Sequence, residues 1–233
     1  YTWPYLSVHW KKADTSPALN VPQGYILGGG SSVMGMIALR GAPEDYDDWE
    51  AQGAAGWGWN DVLPFFNKLE ADQDFDGELH GKDGPVPIRR PGSGDLPPMA
   101  GAMREYCRSR QINLIADVNG DFREGCGTLP ISRFADKRAS AANCYLGADV
   151  RARPNLRIVT DAMVRSLTIK GAGGRRRITG VAAIIDGETH SFTAGEVIVS
   201  AGALQSPVML LRAGVGPADA LKRAGVEVIA DRP

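Results

Sequence analysis

The sequence has 233 residues, and 43% of them are hydrophobic, which is enough apolar material for a globular core. Its 26 basic and 27 acidic residues give a formal net charge of -1 and are well mixed, which excludes the broad basic surface that nucleic acid would need. No apolar run reaches the roughly 18 residues that span a membrane, and no signal-peptide pattern opens the chain. We therefore expect a cytoplasmic protein with no membrane span and no nucleic-acid partner.

In the first half of the chain, the pattern alternates between loops and short helices. Residues 1–24 show no sustained period and predict a surface loop with strand fragments. Ser31 and Ser32 are good N-cap residues, and they predict a short apolar helix from Val33 to about Leu39. Further helices are expected over residues 43–52, over 60–69 with Asn60 as the cap, over 98–110 and over 140–151. Glycine and proline dominate residues 77–98, which predicts loop with short edge strands.

The C-terminal third changes character, because apolar and polar residues alternate in short runs separated by turn-forming clusters such as 171–174. Strands are predicted over residues 156–160, 164–169, 178–186 and 189–193, and they indicate a small antiparallel meander. Residues 196–200 are instead a continuous, largely β-branched run, which is typical of a strand buried on both faces of a parallel sheet. A small-residue turn and a helix over 204–212 follow, and this geometry receives a nucleotide phosphate or a flavin edge.

Isolated cysteines and histidines give no pattern of their own. Cys107, Cys126 and Cys144 are odd in number and form no CxxC motif, which argues against a disulfide framework or a zinc site. We expect buried, reduced thiols and no metal site. His80 is expected to be a loop residue that hydrogen-bonds a neighbouring turn.

Two long stretches resemble the signatures of a known enzyme family. The first is PQGYILGGGSSVMGM at residues 22–36, continued by residues 39–49, and the second covers residues 202–217. Both resemble the glucose-methanol-choline (GMC) family of FAD-dependent oxidoreductases. Lesser landmarks keep the family's order between them: residues 56–59, 80–85, 119–120, 138–146 and 153–156. The resemblance therefore covers nearly the whole chain.

The resemblance implies a flavoprotein with FAD as its cofactor. Glycines remove side chains where the backbone must pass against the flavin and its diphosphate. The residues implied to contact the cofactor are Leu27, Gly28, Gly29, Gly30, Ser31, Met34, Gly35, Met36, Ile37, Val164, Ala201 and Gly202. From the residues alone, the pattern around Val164 is equally consistent with an ordinary strand residue that contacts no cofactor.

Three positions depart from the family's pattern. Most relatives have asparagine or histidine where this chain has Met34, and methionine cannot donate a hydrogen bond there. Val33 stands where some relatives tether the flavin through histidine, so a covalent flavin by that route is excluded. Ala213 replaces the usual serine at a helix end, a modest change.

Two features of the family are not found in these 233 residues. No GxGxxG fingerprint precedes the first signature, and none of His9, His80 and His190 lies in the C-terminal pattern that gives the family its catalytic base. We therefore expect an internal fragment: a partial FAD-binding domain over residues 1–233, without the fingerprint unit or the C-terminal substrate and catalytic domain, and with no catalytic residue. The predicted fold is α/β, a Rossmann-like GMC fold that is incomplete and carries the meander and part of the substrate domain.

The complete protein is expected to oxidise a small-molecule alcohol to an aldehyde or ketone by hydride transfer to the flavin, as a choline dehydrogenase-like or alcohol dehydrogenase-like enzyme would. Two alternatives remain open. A nicotinamide-dependent Rossmann enzyme is weakened because the dinucleotide fingerprint is not found. A non-catalytic binding module, or an inactive fragment on the same fold, would be consistent with Met34.

Overall fold

The computed structural model describes residues 1–4, 6–12, 15–92, 94, 96–171 and 175–232. The chain divides into two compact units, Tyr1–Arg157 and Ile158–Pro233, which are described separately. The turn expected at 171–174 lies outside the described residues except for Gly171. Within the described part of the chain, no helix is long and apolar enough to cross a membrane.

Short helices make up much of the first unit. They are α1 (Gly30–Val33), α2 (Pro43–Ala51), α3 (Trp59–Leu69), α4 (Pro98–Ser109), α5 (Ala141–Tyr145) and α6 (Ala148–Arg151). The predicted ends of α2 and α4 are confirmed to within one residue. The expected cap of α3 is wrong, because Gly58 is its N-cap and Asp47 Oδ1 accepts a 2.9 Å hydrogen bond from the Trp59 N–H.

Two other helix predictions are wrong. The helix expected from Val33 to Leu39 is not formed, because α1 already ends at Val33. The residues after it pair instead with a distant segment: Ile37 bridges Ile131, and the Ala38 N–H donates to the Pro130 carbonyl at 2.9 Å. The helix expected over 140–151 is broken into α5 and α6. Leu146 has a non-helical backbone between them, and Gly147 starts the second helix as its N-cap.

The strands of the first unit are short. They are β1 (Ser7–His9), β2 (Ala18–Asn20), β3 (Glu70–Asp72), β4 (Val86–Arg89), β5 (Leu114–Ile115), β6 (Cys126–Gly127) and β7 (Ile131–Ser132). β1 and β2 form an antiparallel pair, and β5 and β6 form a parallel one. The remaining three make a mixed sheet in the order β3-β4-β7, and β3 carries two of the buried charged residues described below, Glu70 and Asp72.

In the second unit, three of the four strands of the predicted meander are formed. β8 (Met163–Lys170), β9 (Arg177–Ile185) and β10 (Glu188–Thr193) form an antiparallel sheet in the order β10-β9-β8. It is followed by α7 (Gly202–Arg212), β11 (Val215–Gly216), α8 (Ala218–Arg223) and β12 (Ala230–Asp231), with β11 parallel to β12. The overall class is mixed α/β, as predicted.

Two predicted strands are not formed. Residues 156–160 and 196–200 have no strand partner among the described residues, and the Ile198 side chain is 82% exposed. A β-branched run becomes a strand only where a neighbour supplies backbone hydrogen bonds and apolar cover. The local sequence pattern therefore predicted two strands that the structure does not form.

Candidate functional site

A tight turn at Leu27–Ser31 leads into α1. Gly28 and Gly29 have φ values of 88° and 54°, in the region that glycine reaches without steric cost. A Cβ added to Gly28 would lie 2.5 Å from Ser32 Oγ and 3.1 Å from the Ala142 Cβ, so packing also demands glycine there. A Cβ on Gly29 would meet nothing within 4 Å. One side of the turn is thus packed tightly, and the backbone at Gly29 is open to approach.

Serine side chains hold the turn in shape. Ser31 Oγ donates a 2.6 Å hydrogen bond to the Gly28 carbonyl and accepts one from the Ala141 N–H at 2.9 Å. Ser32 Oγ donates to the Leu27 carbonyl at 2.8 Å. Because Ala141 is the first residue of α5, these bonds join two segments that are 110 residues apart. The turn is fixed before any ligand binds.

The segment Met34–Ile37 is held from one side through its carbonyl groups. The Arg138 guanidinium donates to the Met34 carbonyl. The N–H and the hydroxyl of Ser132 both donate to the Met36 carbonyl, at 2.8 and 3.2 Å. These bonds hold Met36 at a φ of 64°, a strained value for a residue other than glycine. The Met34 and Ile37 side chains remain 43% and 61% exposed, which gives the segment an open apolar face.

Asn119 anchors the chain directly after this segment. Its side chain is fully buried, with 0% exposure. Its Oδ1 accepts from the Arg40 N–H and its Nδ2 donates to the Ala38 carbonyl, both at 3.0 Å. A side-chain amide with both ends satisfied by backbone groups fixes the path of that backbone.

Arg40 also belongs to a buried charged cluster that consists of Arg40, Glu70, Asp72, His80, Arg90 and Asp117. His80 Nδ1 lies 3.3 Å from Glu70 Oε1 and 3.2 Å from Asp72 Oδ2, and its Nε2 lies 2.7 Å from Asp117 Oδ2. His80 is in a loop, as predicted. The expectation that its side chain bonds a neighbouring turn is wrong, because both ring nitrogens face carboxylates.

Two arginines complete the buried charged cluster. Arg40 pairs with Glu70, and Arg90 bridges Asp72 at 2.7 Å and Asp117 at 2.8 Å. Burial opposes ionisation of Asp72, but hydrogen bonds from the Asp74 and Phe75 N–H groups and from Arg90 outweigh it and leave the Asp72 pKa below its ordinary value. Burial likewise opposes the charge on Arg90, yet Asp72 and Asp117 raise its pKa.

Three members of this cluster are of types that bind metals. Glu70, Asp72 and His80 each bring a ligand atom within 4.8 Å of the others. The two arginines already neutralise these carboxylates, however, and a cation would have to displace them. We therefore assign the cluster to anchoring Arg40 and the strands around it.

The remaining predicted contact residues lie in the second unit. Ala201 is the N-cap of α7, and Gly202 begins that helix with a φ of 83°. The Ala201 N–H donates to Ser206 Oγ at 3.0 Å, which fixes the entry to the helix. Val164, in β8, pairs with Ala183 of β9, next to a shift in the register between these two strands. That the twelve predicted residues contact a cofactor stays a prediction. That Leu27–Ser31 lie close to Ala201–Gly202 also stays a prediction.

Comparison with protein families decides the wider assignment. The GMC oxidoreductase family model matches residues 12–227. The chain belongs to the GMC oxidoreductase family. It is 42% identical over 239 residues to the 5-(hydroxymethyl)furfural oxidase of Methylovorus sp., covering 100% of this chain and 44% of that protein. It is 38% identical to an oxygen-dependent choline dehydrogenase of Rhizobium etli, covering 100% of this chain and 41% of that protein. The chain thus spans less than half the length of these GMC relatives.

Solved structures agree with the family. Pyridoxine 4-oxidase from Mesorbium loti has a TM-score of 0.87 at 30% identity, over 98% of this chain and 44% of that one. An FAD-dependent oxidoreductase from Chaetomium thermophilum has a TM-score of 0.87 at 28% identity, over 100% of this chain and 42% of that one. The predicted GMC fold is confirmed, and FAD is confirmed as the cofactor of the GMC family.

Sequence reasoning missed the parts of the site that depend on distant partners. The sequence marks Asn119 and Arg138 only as landmarks in the family's order, and it predicts a neighbouring turn as the partner of His80. Their partners include residues 79, 37 and 104 positions away, so no local pattern could reveal them.

Proposed function

We propose that this chain supplies part of the FAD site of a longer enzyme that oxidises a small-molecule alcohol to an aldehyde or ketone. The observation that carries the proposal is the turn at Leu27–Ser31, which is packed on one side and open at Gly29. The family membership and the confirmed GMC fold support it.

The residues present fit a flavin nucleotide. The absence of a side chain at Gly29 lets a planar or charged group approach the backbone closely. Met34 and Ile37 offer apolar surface next to the turn. Because Ser31, Ser132 and Arg138 already fix this backbone, little ordering cost would oppose binding.

Bound FAD would accept the hydride from the alcohol carbon. The residues of this chain would bind the cofactor, orient it and shield its apolar edge from water. We assign no catalytic residue to the chain. His80 is held by carboxylates in the buried charged cluster, and His9 Nδ1 contacts the Ser16 carbonyl at 2.9 Å. We propose that the base taking the hydroxyl proton lies outside residues 1–233, and that the protein is cytoplasmic.

The proposal is tested on the complete protein, purified and desalted. We expect the visible absorbance of oxidised flavin and its bleaching under anaerobic conditions by at least one alcohol from a panel of choline, 5-(hydroxymethyl)furfural, pyridoxine and benzyl alcohol. Bound flavin that none of them reduces would favour the non-catalytic module. A protein that binds no flavin would contradict the proposal altogether.

A further inference from the structure

Two cysteines of the first unit are brought together although they belong to different elements. Cys107 lies on the last turn of α4, and Cys126 is the first residue of β6. The Ile112 N–H donates to the Cys107 carbonyl at 3.0 Å, and the Cys126 N–H donates to the Asn113 carbonyl at 2.8 Å. Each cysteine is thus hydrogen-bonded through its backbone to one of two consecutive residues, which places the two side by side.

The backbone around Cys126 is held firmly in this position. β5 pairs with β6, and Leu114 is the register partner of Cys126. Gly125 lies so close to the preceding strand that an added Cβ would be 2.7 Å from the Asn113 carbonyl oxygen and 2.6 Å from Ile115 Cγ1. The closeness of the two cysteines is therefore a feature of the packed fold.

The two thiols interact and differ in their access to solvent. A hydrogen bond between the side chains of Cys107 and Cys126, assisted by burial, raises the pKa of the Cys107 thiol. Cys107 is 6% exposed, whereas Cys126 is half-buried. Such a pair offers one sulfur that a small oxidant can reach and a second sulfur poised to react with the product.

The pair closes a loop that reaches the site described above. Residues 107–126 include Asn119, which accepts from the Arg40 N–H and donates to the Ala38 carbonyl. These bonds anchor the backbone that leads out of Met34–Ile37. A covalent bond between the two ends of the loop would restrain the residue that holds this backbone.

We propose that Cys107 and Cys126 form a redox-responsive dithiol, which a hydroperoxide oxidises to a disulfide. Cys126, as the thiolate, displaces hydroxide from hydrogen peroxide and becomes a sulfenic acid. Cys107 then attacks the Cys126 sulfur, so that the S–S bond forms, the S–O bond breaks, and the oxygen leaves with the Cys107 proton as water. The hydroxide takes up the proton that Cys126 released. Overall, the two thiols lose two electrons, and hydrogen peroxide is reduced to two molecules of water.

The inference goes beyond the proposed function and depends on neither the flavin nor the alcohol. In the cytoplasm proposed above, thiols are kept reduced, so the disulfide would be a transient state. Cys144 is also half-buried, and it provides an internal reference for unselective oxidation.

The test is disulfide mapping on the complete protein. The reduced protein is treated with hydrogen peroxide, it is unfolded in iodoacetamide to block the remaining thiols, and its non-reduced digest is analysed by mass spectrometry. We expect a peptide pair linked through Cys107 and Cys126 that disappears when dithiothreitol is added before the digest, while Cys144 is recovered alkylated. Cys126 linked to another cysteine, or oxidised while Cys107 is recovered alkylated, would overturn the proposal.

Two variants test the order of the two steps. In Cys107→Ala, the thiol that resolves the sulfenic acid is missing, so labelling of Cys126 by dimedone, which traps sulfenic acids, should rise several-fold over wild type. Cys144→Ala is the matched control and should label like wild type. Equal labelling of Cys126 in wild type and Cys107→Ala would contradict the role of Cys107. The mapping on wild type stands by itself if Cys107→Ala does not fold.

Discussion

Arg138 donates a hydrogen bond from its guanidinium to the carbonyl of Met34, which lies 104 residues earlier in the chain. Arg138 is itself tied to α5, because its carbonyl accepts from Asn143 Nδ2 at 2.9 Å. The segment proposed to face the flavin is therefore positioned by a residue from a distant part of the chain. The same helix begins beside Ser31, so α5 supports both parts of the proposed site.

Replacing Arg138 by methionine should weaken FAD binding, because the Met34 carbonyl loses its donor and the segment becomes freer to move. A hydrogen bond from a charged group contributes about 1.5 kcal/mol or more, which corresponds to roughly a tenfold rise in the FAD dissociation constant. Titration of the flavin-free complete protein with FAD measures it. Arg133→Met is the matched control, since among the described residues the Arg133 side chain donates only to the nearby Phe134 and Ala135 carbonyls. Equal affinities for both variants would contradict a positioning role for Arg138.

Met34 should influence which alcohol is preferred. Its side chain is exposed next to the proposed flavin face and offers apolar contact without a hydrogen-bond donor. In the complete enzyme, Met34→Asn should shift the ratio of kcat/KM values toward choline and away from benzyl alcohol, by about tenfold for a loss of about 1.4 kcal/mol of apolar contact with the benzyl ring. Met34→Leu, which stays apolar, should leave the ratio unchanged. An unchanged ratio for Met34→Asn would show that residue 34 does not meet the substrate.

Helices with strong local signals were predicted closely from the sequence, whereas elements that depend on distant contacts were not. Pro43 and the acidic first turn define the start of α2, and the structure begins it there. Nothing local shows that residues after Val33 pair with Ile131, or that His80 meets Asp117. The family resemblance carried the site assignment further than periodicity did, because it encodes contacts that lie far apart in sequence.

Asp72 should make stability depend on acid pH. Its pKa is lowered in the folded protein, so its ionised form stabilises the fold above the ordinary value of 3.8, and this contribution is lost as the pH falls through the lower folded pKa. Asp72→Asn should lower the free energy of unfolding by about 3 kcal/mol or more at pH 7, because it leaves the buried charge of Arg90 partly uncompensated. The cost should shrink below pH 3.8.

Denaturant unfolding of wild type and variant across this pH range measures the effect. Asp76→Asn is the control, since Asp76 pairs with Lys82 at the surface and should contribute little at any pH. A cost for Asp72→Asn that stays constant from pH 7 downward would contradict the assigned linkage.

The 233-residue chain by itself should bind FAD weakly or not at all. The diphosphate-anchoring fingerprint of the family is not among its residues, and much of the binding free energy depends on that anchor. After desalting with excess FAD, we expect a colourless chain and a yellow complete protein. Near-stoichiometric flavin on the chain alone would show that the turn at Leu27–Ser31 and α7 suffice.

The most direct test of the account is an experimental structure of the complete protein with FAD bound. The account predicts that the backbone of Gly28–Gly30 and that of Ala201–Gly202 contact the same cofactor molecule, although about 170 residues separate them in sequence. Met34 should face the flavin region, and Val164 should lie at the adenine end. Cofactor bound elsewhere, with the two glycine segments on opposite faces of the protein, would contradict it.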